Sequence, residues 1–311
     1  MSTPTIARER FEAALEKLIQ QVKTDRNILA AILCGSLAHD EVWDKSDIDL
    51  VLICKDDNKT NNHGISLTED DINIHTQVQQ RGEFKRRVEG AARNSFEHSL
   101  YAKSRLLFSN DPSIEQLFTE LQSIGARDTQ LQLMRAGTEA LISLYKAQKW
   151  YHVRQDLDLS ALWILYTATP LAAIEVGRHG EIIAREVIPD AQRLNPCFFD
   201  LIYSDLLNRK KTAKAVGGAL AAIDEYLQSK VELLFQPILD YLADCGEPRS
   251  ATEIGHHFQR NFNLPHAVIA CEWLADIEVI DKLSNPTKLT NTSQIEVPEL
   301  AFFYTGEDFG Q

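Results

Sequence analysis

Two aspartates one residue apart, Asp47 and Asp49, stand at the start of the apolar run "DIDLVLI", and a Gly-Ser pair, Gly35-Ser36, closes the earlier run "NILAAILC". Residues two apart on a strand share a face, which sets these carboxylates roughly 6.5–7 Å apart along the backbone. Ionised carboxylates that close repel each other unless a cation sits between them. Oxygen ligands on a rigid strand suit a hard divalent ion, Mg²⁺ or Mn²⁺, which keeps waters and takes further ligands from substrate phosphates. Where a strand gives way to a helix, glycine lets backbone approach a phosphate, and helix N–H groups with a serine hydroxyl can donate to it. Ser46, directly before Asp47, joins Gly35 and Ser36 as a candidate nucleotide contact. Phosphate donors beside a metal-binding carboxylate pair point to phosphoryl or nucleotidyl transfer. A solvated surface turn would leave unexplained why both acids share a face with the buried continuation of their strand.

The elements that must position these groups read as an α/β (α+β) domain over residues 1–127. "TIARERFEAALEKLIQQVKTD" carries Ile6, Phe11, Leu15, Leu18, Ile19 and Val22 at helical spacing. "NILAAILCG" and "DIDLVLICKDD" read as strands. "DINIHTQVQQ" is a third, with Ile72, Ile74, Thr76 and Val78 on one face and Asn73, His75 and Gln77 on the other. "EFKRRVEGAARN" and "PSIEQLFTELQSIG" follow as amphipathic helices. Residues 128–235 are dominated by long helical patterns, among them "AKAVGGALAAIDEYLQSKVELLF", and predict a bundle. Residues 236–311 open at Pro237 and run helix, helix, helix, then the strand-like pieces "VIDKL" and "TKLTN" joined through Asn285-Pro286. That is the order of a small winged helix-turn-helix, with Ser250 and Glu253 at capping-box spacing.

The order of an apolar residue, Gly-Ser, ten residues and then Asp-apolar-Asp-apolar is met by Cys34-Gly35-Ser36 and Asp47-Ile48-Asp49-Leu50. Over about Ile28 to Gln80 it resembles the nucleotidyltransferase superfamily of DNA polymerase β. The resemblance implies a small mixed sheet with flanking helices, Ser36 on the terminal phosphates of a nucleoside triphosphate, and Asp47 and Asp49 as catalytic Mg²⁺ ligands. Active members usually carry a third carboxylate on a later strand. The matching strand here offers Asn73, His75 and Gln77 instead, with Asp70 and Asp71 just before it. In architecture alone, the second segment resembles the helical half of antibiotic nucleotidyltransferases such as the kanamycin enzyme, which implies that it completes the cleft and binds the acceptor. Glu139, Asp156 and Asp158 are its candidates for a base. Lys146 and Lys149, three apart on one helical face, are candidates for meeting triphosphate charge, as is the basic run Arg81, Lys85, Arg86 and Arg87.

The 311 residues are 44% hydrophobic and 25% charged, the proportions of a globular protein with room for two or three domains. No apolar leader and no membrane span is expected. Five scattered cysteines without a C-x-x-C pair speak against a disulfide or zinc framework and for a reduced cytoplasm. A net charge of −13 speaks against broad adhesion to nucleic acid. From Pro237 to Gln311, four Lys or Arg face twelve Asp or Glu, and the would-be recognition helix "PHAVIACEWLAD" has no base. DNA binding is therefore not expected there, and a protein-contact or structural role is. His256-His257 read as structural or surface residues. The expected activity is Mg²⁺-dependent transfer of a nucleoside monophosphate from a triphosphate to an unknown acceptor, small or macromolecular, with a homodimer as a candidate assembly. The alternative is a nucleotide-binding regulator that has lost turnover, and a weaker one is a DNA-binding transcription regulator.

Overall fold

In the computed structural model, which describes residues 4–39, 42–56, 64–91, 101, 104–121, 126–184 and 186–306, the apolar strands owe their composition to cover on both faces. The chain divides into two units, Met1–Gly125 and Ala126–Gln311. The first runs α1 (Pro4–Val22), β1 (Ile28–Cys34), α2 (Gly35–Ala38), β2 (Ile48–Cys54), β3 (Gly64–Glu69), β4 (Ile72–Gln80), α3 (Arg81–Ala91), β5 (Arg105–Ser109) and α4 (Pro112–Leu121). Its sheet has the order β3-β4-β2-β1-β5, with β2 and β4 parallel and the other pairs antiparallel. On one face, Phe11, Ala14, Leu15 and Leu18 of α1 pack in a core with Leu33, Leu50, Leu52 and Ile74. On the other, Phe84 and Val88 of α3 and Ile114 and Phe118 of α4 share a core with Ile32, Val51 and Ile53. Ile6 is exposed, and Ala7 takes the buried place on α1. Ala92–Asn94 and Gln122–Gly125, expected to extend the two later helices, lie outside the described residues.

The second unit begins with α5 (Ala126–Lys149), which passes through a wide turn at Trp150–Arg154 before α6 (Leu157–Arg178). Then come α7 (Ile188–Leu194), α8 (Pro196–Phe199), a second wide turn at Asp200–Ser204, α9 (Asp205–Asn208), α10 (Ala213–Gln228) and α11 (Val231–Cys245). The unit closes with β6 (Arg249–Ser250), α12 (Ala251–Phe262), α13 (Ala267–Asp276), β7 (Asp281–Thr287) and β8 (Val297–Phe303). Among the described residues, α6 is the one helix long and apolar enough to cross a membrane, and most of its apolar window is buried within the protein.

Three expectations change here. The helical run expected to continue past residue 228 breaks at Ser229-Lys230, where Lys230 leaves helical geometry with φ −131° and the Ser229 hydroxyl turns back to the Tyr226 carbonyl at 2.8 Å. The boundary expected at residue 236 falls inside α11, with Pro237 within the helix. Proline forfeits one intrahelical bond, but Leu234, Phe235, Ile238, Leu239 and Leu242 are all buried and hold the helix in place. One core runs from Leu131 to Phe302, so segments 128–235 and 236–311 form a single unit. Finally, Asn285-Pro286 lies within β7, and the strand paired with β7 is "VPELAFF", not "TKLTN". With the order β6-β8-β7, β7 is an edge strand where a missing N–H is tolerated, and Pro298 meets Pro286 at the start of β8, away from β6.

Candidate active site

β1 ends where α2 begins, and the turn between them is made by Gly35 at φ +69°, a conformation that penalises any residue with a Cβ. A Cβ at Gly35 would overlap the Asp49 Oδ2 and stand 3.1 Å from Asp49 Cγ and 3.3 Å from its Cβ. The glycine is thus a cradle that lets the carboxylate lie against the backbone. Ser36 follows in the first turn of α2, half-buried.

Strand register lines up the rest of the site. Cys34 pairs with Asp49 across β1 and β2, Asp49 with His75 across β2 and β4, and Ser66 with His75 across β3 and β4. These four residues form a row on the face whose continuation, Val51 and Ile53, is buried under α3 and α4. Asp49 itself is exposed. Asp47 joins from just outside β2, its Oδ2 3.4 Å from His75 Nε2, while His75 Nδ1 lies 3.4 Å from the Ser66 hydroxyl. Both carboxylates and the imidazole therefore converge on one face. Burial, and secondarily the negative charge of Asp49, push the Cys34 thiol up to about 12, so it stays protonated beside the carboxylates.

Of the third-carboxylate candidates, His75 stands next to Asp49, and Asn73 lies two residues back along β4, paired with Thr68. Asp70 and Asp71 are the two-residue turn between β3 and β4, both in left-handed geometry at φ 49° and 60°. Asp70 makes an ion pair with Lys17 of α1. Among the described residues, no group of three or more His, Cys, Asp or Glu is arranged to hold a metal ion. What the site offers is a pair of carboxylates with open surroundings. That donor set fits a hard divalent ion that retains water and completes its shell from substrate oxygens.

The Ser46 amide donates to the Trp43 carbonyl at 2.9 Å, and the Trp43 amide to the Ser46 hydroxyl at 3.2 Å, so Ser46 closes the turn leading into Asp47. Arg81 pairs with Asp56 at 3.2 Å and with Asp111 at 3.1 Å. It follows the last residue of β4, six positions beyond His75, which places it roughly 20 Å along the sheet from the carboxylates. Its charge is paired there. Lys85 and Arg86 are exposed on the same helix.

Glu139, Lys149, Asp156 and Asp158 belong to the second unit. Glu139 lies on α5 with part of its side chain open to solvent, but the protein packed around its carboxyl removes enough hydration to raise it above the ordinary range, with the Arg135 charge opposing. Lys149 is exposed at the end of α5, and Lys146 sits over the Trp163 ring at 4.2 Å. Asp156 caps α6, accepting from the Leu159 amide at 2.9 Å, and this structural duty weakens its candidacy as a base. Asp158 is exposed in the first turn of α6. His257 stacks on Tyr241 with ring centroids 4.0 Å apart, a packing role. Ser66 was not foreseen as part of the site. The Asp70-Asp71 pair was the available signal, since a two-residue turn there places Ser66 opposite His75.

Residues 16–113 match the family described as Polymerase beta, Nucleotidyltransferase. A crystal structure of a nucleotidyltransferase-like protein from Exiguobacterium sibiricum superposes with a TM-score of 0.64 at 14% identity, covering 94% of this chain and 99% of that one. At that identity the likeness is one of fold. No curated protein matches the chain in sequence.

Proposed function

We propose, on the premise that residues 16–113 are a nucleotidyltransferase domain of the polymerase β superfamily, that the chain transfers a nucleoside monophosphate from a triphosphate to an acceptor with the help of a divalent ion. The observation that carries this is the Asp49 carboxylate lying in the Gly35 cradle beside Asp47, on a face open to substrate. Asp47 and Asp49 would hold Mg²⁺ or Mn²⁺, which supplies charge neutralisation for the triphosphate when bound. The backbone at Gly35 and the Ser36 hydroxyl hold phosphate oxygens, and the turn closed by Ser46 fixes the direction of Asp47. The acceptor oxygen attacks the α-phosphorus, pyrophosphate leaves, and the acceptor proton passes to a base.

His75 in the third position favours a second reading. An imidazole there lacks the negative charge that completes a two-ion site, so turnover is slow, or the domain binds nucleotide as a regulator. Pyrophosphate release with each Mg²⁺-nucleoside triphosphate separates the two. Release that depends on Asp47 and Asp49 establishes the transferase; Asp-dependent binding without release establishes the regulator.

The order α11, β6, α12, α13, β7, β8, with its sheet β6-β8-β7, supports reading the C-terminal segment as a winged helix. Its α13 has no Lys or Arg and carries Glu272 and Asp276, so it serves protein contact rather than DNA. The five free cysteines suit a reducing cytoplasm.

A further inference from the structure

Trp43 is 54% exposed, whereas the other three tryptophans, Trp150, Trp163 and Trp273, are half-buried or buried. An indole left in water forgoes the stabilisation that burying it would give. Its backbone is nonetheless fixed on both sides. Val42 before it is buried in the core beneath α1, and reciprocal hydrogen bonds with Ser46 close the turn after it. Such a turn keeps the Cα atoms of residues 43 and 46 within about 7 Å, so Trp43 stands within about 10 Å of Asp47. Lys45 Nζ lies over the ring, 5.8 Å from its centroid, which sets positive charge against one face and leaves the other for a base. An exposed ring on a fixed turn, near the metal-holding carboxylates, has the makings of a stacking platform, since aromatic side chains bind nucleobases through their π-faces.

We infer that Trp43 stacks on the base of the bound nucleotide and so contributes to which nucleoside triphosphate is taken. This rests on the reading of Asp47 and Asp49 as the phosphate-side metal site, and the two are tested separately. Calorimetric titration with Mg²⁺ uses tripolyphosphate, which has no base, and each of the four common nucleoside triphosphates. Trp43→Ala is expected to weaken nucleotide binding about 5- to 150-fold, more for purines than for pyrimidines, and to leave tripolyphosphate binding unchanged. Trp43→Phe, which keeps a π-face, is expected to recover most of the affinity. The fluorescence change on adding nucleotide to the native protein is expected to be lost in Trp43→Phe. Equal nucleotide affinity in Trp43→Ala and the native protein would overturn the inference. Tripolyphosphate binding that ignores Asp47→Asn with Asp49→Asn would overturn the metal reading instead, with the nucleotide arm still judging Trp43.

Discussion

Replacing Gly35 by alanine perturbs the site through a single methyl group. The position has φ +69°, where an L-residue with a Cβ is strained by about 1–2 kcal/mol. The methyl would also overlap Asp49 Oδ2 and crowd Asp49 Cγ at 3.1 Å. Oδ2 is the end of a rotatable and exposed side chain, so the clash is relieved by swinging the carboxylate away by about 1 Å rather than by unfolding the sheet. The two costs therefore separate. Thermal unfolding is expected to fall by roughly 4–10 °C, from the backbone strain. Turnover is expected to fall about 100-fold, because a displacement of about 1 Å in a positioning group has that effect. The assay is Mg²⁺-dependent pyrophosphate release, or Mg²⁺-nucleotide affinity if release is slow, beside a melting curve. Gly64→Ala is the control, since its Cβ would meet nothing within 4 Å. Native activity and affinity in Gly35→Ala would refute the cradle.

Further outcomes follow from the register and the buried charges. His75→Asp is expected to raise divalent-ion affinity about tenfold by calorimetry, Asn73→Asp less, and Asp70→Asn not at all, since Asp70 lies at the hairpin turn with Lys17. In the helical unit, burial alone would push the Glu175 carboxyl up, but bonds from Arg178 and Tyr226, both at 2.6 Å, and the Arg178 charge together hold it below the ordinary value. Its stabilisation is thus present above about pH 4.5 and lost as pH falls through the lower folded-state value. Glu175→Gln is expected to cost about 1–3 kcal/mol at pH 7 and to flatten the dependence of urea stability as pH falls below about 4.5. An unchanged acid limb would refute that assignment. The full chain is expected not to bind duplex DNA at about 0.15 M salt in a mobility-shift assay, and steeply salt-dependent binding would show that α13 was misjudged.

The site was legible because its chemistry depends on close spacing: Gly35-Ser36 and Asp47-Ile48-Asp49 had to be placed by the strands β1 and β2, whose apolar runs, continuous in β1 and from Leu50 onward in β2, reflect burial on both faces. β3 was missed because its residues are largely exposed, so "GISLTE" has no buried face to impose an alternation. β5 is short and half-buried throughout, which leaves an equally weak pattern. The missing β3 hid Ser66 and, with it, the partner of His75. Farther along, Pro237 looked like an opening signal, but proline inside a helix is tolerated when a buried apolar face holds the turns on either side. The same residue suggested a domain boundary where the hydrophobic core is in fact continuous. In the final hairpin, Pro298 disguised "VPELAFF" as a loop, although Leu300, Ala301 and Phe302 lie in the ladder and Ala301 and Phe302 are buried.

The central claim is that Asp47 and Asp49 form one divalent-ion site that binds the phosphates of a nucleotide. Calorimetric titration of nucleoside triphosphate with and without Mg²⁺, on the native chain and on Asp47→Asn with Asp49→Asn, tests it most directly. The account predicts Mg²⁺-dependent binding by the native chain and at least about 100-fold weaker binding by the double variant, with unchanged circular dichroism and melting. Equal affinity in the two proteins, with or without Mg²⁺, would contradict it.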